Sequence, residues 1–116
     1  MSDKTFELTL LFDFFGDLLT EKQREYFELY YNDDLSLSEI AEINGVSRQG
    51  IRDSLLRAER YLKELEEKTG VVKRFRELRD AISEIERDAA LLADTCDGRI
   101  KALADSILFR LQNLKG

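Results

Sequence analysis

The chain has 116 residues, 43% of them apolar and 36% charged, with no proline and no histidine. That is about one domain's length and enough to bury a core, in a composition that favours long uninterrupted helices. One cysteine, Cys96, excludes an intrachain disulfide and suits a reducing, cytoplasmic setting; the lack of histidine removes the commonest zinc ligand; and a net charge of −6 excludes a generally adhesive nucleic-acid binder.

Charge is uneven along the chain. Residues 1–35 hold 3 basic and 9 acidic groups, whereas Ser47 to Arg60 holds four arginines against Asp53 and Glu59. Any nucleic-acid contact must therefore be local, and this is where it is expected. The apolar segment Thr5 to Leu19 carries Glu7, Asp13 and Asp17 and lacks a small-residue cleavage site, so it reads as a helix and not as an export signal. No apolar run approaches the ~18–20 residues that span a bilayer.

In chain order, Leu8, Leu11, Phe15 and Leu18 recur at helical spacing, with Phe12 and Phe14 widening the stripe and Gly16 weakening its end. Thr20-Glu21-Lys22-Gln23 is a capping box, in which the threonine hydroxyl and the glutamine side chain each satisfy the other residue's amide. The helix it opens carries Phe27, Tyr30 and Tyr31 and stops at Asn32-Asp33-Asp34. Ser36-Leu37-Ser38-Glu39 is a second box, opening a short helix through Ile43. Asn44-Gly45 breaks the chain, and Ser47 is an N-cap for a long helix that Thr69-Gly70 ends near Lys68. On that helix Ile51, Leu55, Ala58, Leu62 and Leu65 alternate steps of three and four. Phe75, Leu78, Ile82, Ile85, Ala89, Leu92 and Cys96 do the same beyond Val71, which is a heptad seam. A last amphipathic helix after Asp97-Gly98 uses Ile100, Leu103, Ile107, Leu111 and Leu114.

The informative stretch is Ser38 to Arg60. A helix-turn-helix needs two short helices that cross closely, so small and flexible residues fall at fixed offsets. Ala41 is small at the crossing, and Gly45, four residues on, can take the positive φ of the turn. Ile40, Val46, Ile51 and Leu55 are expected to face inward, leaving Ser47, Arg48, Gln49, Arg52, Asp53 and Leu56 outward. Arginine can donate bidentately to guanine and glutamine can pair with adenine. Ser47 at a helix N-terminus can hold a phosphate, and Arg57 and Arg60 sit where backbone contacts belong. Gly50 costs about 1 kcal/mol relative to alanine inside a helix, which fits either a close approach to DNA or simple tolerance. Asn44 departs from the pattern where such turns bury an apolar side chain, with Ile43 beside it as a substitute. Any helical hairpin can carry an Ala and a Gly; the spacing, the Ser47-Arg48-Gln49 start and the local charge favour DNA.

Three stretches, Leu11 to Gln23, Tyr26 to Glu42 and Val46 to Gln49, together resemble the YlxM family, most specifically through Leu29-Tyr30-Tyr31-Asn32-Asp33-Asp34. The likeness covers about residues 5–68. It implies a helix-turn-helix fold similar to region 4 of bacterial sigma factors, and a link to the signal recognition particle pathway with a regulatory role. Gly50 stands where the family has alanine and Arg52 where an aromatic is common, so base preference does not carry over.

The expectation is an all-α protein: a helix-turn-helix without a wing over residues 1–68 and a C-terminal helical hairpin over 69–116 that serves for dimerisation. DNA is the expected partner, through Ser47, Arg48, Gln49, Arg52, Asp53, Arg57 and Arg60, in a homodimer that suits paired half-sites; the seams at 51–65 and 75–96 can pack within one chain, as a helical hairpin, or between two copies. The alternative is an accessory of the signal recognition particle that contacts its protein or RNA. With no histidine, no phosphate-binding glycine loop and no metal cluster, neither an enzyme nor a cofactor is expected. Cys96 continues an apolar seam and reads as packed; Tyr30 and Tyr31 read as core ahead of base-stacking.

Overall fold

The computed structural model describes residues 3–115, and side-chain surroundings for residues 3–114. Every regular element among the described residues is helical: α1 (Asp3–Phe15), α2 (Glu21–Phe27), α3 (Leu37–Asn44), α4 (Arg48–Thr69), α5 (Val71–Thr95) and α6 (Gly98–Lys115). A 3-10 turn, Gly16–Leu18, follows α1, and a π-helical turn, Glu28–Asn32, continues α2.

Local chemistry accounts for the boundaries. Both capping boxes form: the Gln23 amide donates to Thr20 Oγ1 at 3.1 Å and the Thr20 amide to Gln23 Oε1 at 3.1 Å. The Glu39 amide donates to Ser36 Oγ at 3.1 Å and the Ser36 amide to Glu39 Oε1 at 3.0 Å. Those bonds hold the exposed Glu39 carboxyl below its ordinary value, first through the backbone donor at Ser36. At the far end of α4, Gly70 takes φ +62° and its amide donates to Glu66 O, ending the helix in a left-handed cap.

The chain divides into two compact units, Met1–Val72 and Lys73–Gly116. In the first, α4 packs against α1, α2 and α3. Their shared core includes Leu8, Leu11, Phe27, Ile40, Ile51, Leu55, Ala58 and Leu62, with Val72 from the first turn of α5. Phe27 is fully buried, stacked on Phe12 at 4.4 Å between ring centroids and tilted against Tyr31 at 4.5 Å. Each such side chain stabilises the fold by about 1.5–3 kcal/mol on burial. The seam expected on α4 is thus realised, with Leu65 half-buried at its end.

In the second unit the apolar residues of α5 and α6 divide. Ile82, Ala89, Ala104 and Leu111 are buried, whereas Leu78, Ile85 and Leu92 on α5 and Ile100, Leu103 and Ile107 on α6 stay between 43% and 60% exposed. The expected heptad seam is therefore only partly covered: one row is inside and the other faces solvent. Cys96, in the short linker between these helices, is half-buried.

Candidate nucleic-acid interface

The helix-turn-helix is built by α3, the turn at Gly45 and the first half of α4. Gly45 takes φ +66°, a left-handed backbone that residues with a Cβ rarely adopt. Its amide and that of Val46 both donate to the carbonyl of Ala41, so the turn closes on the small residue at the helix crossing. Ala41 and Ile40 are buried, and Ile51 and Leu55 meet them from α4.

Two inward expectations fail at this turn. Val46 is 45% exposed, and Ile43, expected to substitute for a buried residue at position 44, is 64% exposed. The physical reason lies in Asn44, whose Nδ2 donates to Ile40 O at 2.9 Å. That side chain folds back on its own helix and occupies the half-buried place, which leaves the two neighbouring apolar groups outside.

Ser47 caps α4 by accepting the Gly50 amide at 3.0 Å. A Cβ on Gly50 would sit 3.2 Å from the capping hydroxyl, a tight contact that a shift of a few tenths of an ångström relieves, so the cap by itself does not require glycine. The seven expected contact residues are all exposed, from the N-cap of α4 at Ser47 to Arg60, yet they do not present one uniform surface. Gln49 Nε2 donates to Asp53 Oδ1 at 3.0 Å, so Asp53 holds the glutamine side chain. Arg57 Nε reaches the Asp53 carbonyl at 3.4 Å. Arg52 instead lines a groove with Tyr30, Tyr31 and Leu56. None of Arg48, Arg52, Arg57 or Arg60 forms an ion pair among the described residues, although the chain holds 24 acidic groups.

The sequence reading missed the link between the π-helical turn and α4. Tyr31 Oη donates to Glu59 Oε1, and burial, followed by that bond to a carboxylate, pushes the Tyr31 phenol well above its ordinary range. Tyr30 stands edge-on to Tyr31 at 4.9 Å and remains 36% exposed. Tyr31 is thus structural, as expected, and Tyr30 is not core. No periodicity signals a pair 28 residues apart; only the odd placement of Glu59 beside a buried stripe hints at it.

Among the described residues no cluster of His, Cys, Asp or Glu could hold a metal ion, and no helix is long and apolar enough to cross a membrane. Residues 2–101 match the model of the family described as "Putative helix-turn-helix protein, YlxM / p13 like". A UPF0122 protein of Thermoanaerobacter sp. (strain X514) is 47% identical over 94 residues, covering 81% of this chain and 80% of that protein. One from Caldanaerobacter subterraneus subsp. tengcongensis is 53% identical over 85 residues, covering 73% of each. One from Shouchella clausii is 42% identical over 107 residues, covering 92% of this chain and 96% of that protein. By that description the family is one of helix-turn-helix proteins. With its two capped helices, its left-handed glycine turn and its match over most of its length, the chain belongs to the UPF0122 family of YlxM / p13-like helix-turn-helix proteins.

Proposed function

We propose that the chain is a DNA-binding regulator that lays the first half of α4 in a major groove. The observation that carries this reading is the set of four exposed arginines between Ser47 and Arg60, none of them neutralised in an acidic chain. Arginines left unpaired among so many carboxylates are poised for anions that arrive from outside. In this reading Arg48 and Gln49 reach base edges and Asp53 holds Gln49 in place. Arg52 flanks the groove, while Ser47, Arg57 and Arg60 meet phosphates. Binding of a duplex, followed by fluorescence anisotropy, weakens steeply with salt. Arg48→Ala with Arg52→Ala abolishes it while helicity by circular dichroism is unchanged; undiminished binding in that variant overturns the assignment.

Residues 1–68 serve as the DNA-binding domain and 69–116 as the region that joins two copies. The exposed row Leu78, Ile85 and Leu92, with Ile100, Leu103 and Ile107, supports a homodimer, since large exposed apolar patches mark interaction sites. Two copies would read half-sites about 34 Å apart. The setting is the cytoplasm, where the single thiol stays reduced.

A second reading makes the chain an accessory of the signal recognition particle, in contact with its protein or RNA. It is supported by the family resemblance and by the acidic first third, whose carboxylates are almost all exposed and suit a basic protein surface. Retention of the particle's GTPase or RNA on the immobilised chain at physiological salt supports it; no retention counts against it.

A further inference from the structure

Beside α4, on the first unit, lies a groove of about 240 Å³. The two tyrosines of the π-helical turn and Leu37 of α3 line it together with Leu55 and Leu56 of α4. Two cations complete the lining, Lys4 from α1 and Arg52 from α4, and Glu59 is its acidic member. Neither cation has a carboxylate partner among the described residues. With Glu59 beside them the lining carries a net charge of about +1, which an anion can complement.

The remaining lining specifies more than an anion. The Tyr31 hydroxyl is committed to Glu59, which fixes that ring, while Tyr30 stands edge-on to it and stays accessible. An exposed tyrosine above leucine walls, with cations at hand, is the chemistry that holds a nucleobase and its phosphate. Glu59 Oε1 accepts the hydrogen bond of the Tyr31 hydroxyl; the other carboxylate oxygen can accept from an exocyclic amine. At about 240 Å³ the groove is smaller than the roughly 300–1,000 Å³ of drug-sized pockets and is open to solvent, so a mononucleotide in it stays partly exposed. The adjoining hollow on Lys4 is lined by Arg60 and Lys63 as well as by Glu59, Glu64 and Glu67, so its charges balance and the cationic excess lies in the groove itself.

We propose that this groove binds a nucleoside monophosphate, its phosphate between Lys4 and Arg52, its base on Tyr30 and an amino group toward Glu59. Occupation withdraws Arg52 from DNA, so the ligand acts as an effector of the helix-turn-helix. Only this regulatory part rests on the DNA-binding reading; the site itself does not.

The test is calorimetry on the full chain with AMP, GMP, CMP, UMP, adenosine and inorganic phosphate. Tyrosine fluorescence is read in parallel, since the protein has no tryptophan. The amino-bearing monophosphates bind saturably, and UMP, adenosine and phosphate bind at least about tenfold more weakly, as the loss of one charged hydrogen bond implies. Lys4→Gln, Arg52→Gln and Tyr30→Leu each weaken AMP binding with helicity intact, all three side chains being exposed. Absence of saturable binding at millimolar nucleotide, or affinity unchanged in Lys4→Gln with Arg52→Gln, overturns the site. Phosphate binding as tightly as AMP overturns the base contact. In a duplex titration, AMP lowers wild-type DNA affinity beyond its ionic-strength effect, and its failure to do so overturns the effector role. A protein that binds AMP but no duplex removes the DNA reading and leaves the site standing.

Discussion

Salt dependence measures how many of the α4 arginines meet phosphate. Arg48, Arg52, Arg57 and Arg60 are exposed and without carboxylate partners, so each is available to displace one condensed counterion from DNA. If Arg48 and Arg52, beside the bases, also neutralise adjacent phosphates so that all four count, log K falls against log salt with a slope of about −3.6, and affinity drops about 150-fold between 50 and 200 mM. Arg57→Ala with Arg60→Ala leaves two such contacts, a slope of about −1.8 and a drop of about 12-fold over the same range. Anisotropy of a labelled mixed-sequence duplex across a salt series reads both slopes. Neither arginine is in the buried core, so circular dichroism and melting temperature should not move. A double variant that keeps the wild-type slope refutes the phosphate role of Arg57 and Arg60, whatever its absolute affinity. A slope reduced by about half that amount assigns the role to one of them.

Other consequences follow from single features. Gly45→Ala meets nothing within 4 Å but must keep φ +66°, so it costs about 1–2 kcal/mol of stability in a thermal melt through backbone strain alone; an unchanged melt would show that the turn relaxes. The Tyr31 phenol is held above its ordinary value of 10.0, so the folded state keeps that proton longer than the unfolded chain does. Its contribution is fully present below about pH 10 and is lost as pH rises beyond it. Tyr31→Phe should therefore flatten the alkaline decline of stability in urea titrations, after a loss of about 1 kcal/mol at neutral pH from the missing hydrogen bond. Leu78→Ser with Ile85→Ser removes half-exposed apolar surface and should halve the mass seen by light scattering, with α5 still helical; a monomeric wild type would refute the homodimer.

The features legible in the sequence are those that local chemistry decides. Thr20 with Gln23, Ser36 with Glu39, and Ser47 ahead of Gly50 each bond within three or four residues, and all three caps form where their side chains place them. The α4 stripe is equally local, because a helix of 22 residues turns Ile51, Leu55, Ala58 and Leu62 to one side whatever covers them. What periodicity cannot state is the identity of the cover. On α5 the same spacing buries Ile82 and Ala89 and leaves Leu78 and Ile85 open, since an apolar row is buried only where a second surface arrives. Val46 shows the converse: it is expected inward yet stands 45% exposed, at a turn where Asn44 is half-buried and bonds back to Ile40 O. The contact residues fall between these cases. Their exposure on α4 was readable, but the groove that Arg52 shares with Lys4, Tyr30 and Tyr31 depends on α1 and the π-helical turn lying beside that helix. Lys4 and Arg52 share a groove across 48 positions of sequence, and Tyr31 reaches Glu59 across 28. Such pairs are decided by packing of the whole unit, and so a cation at the start of the chain becomes part of the surface that answers to the DNA-reading helix.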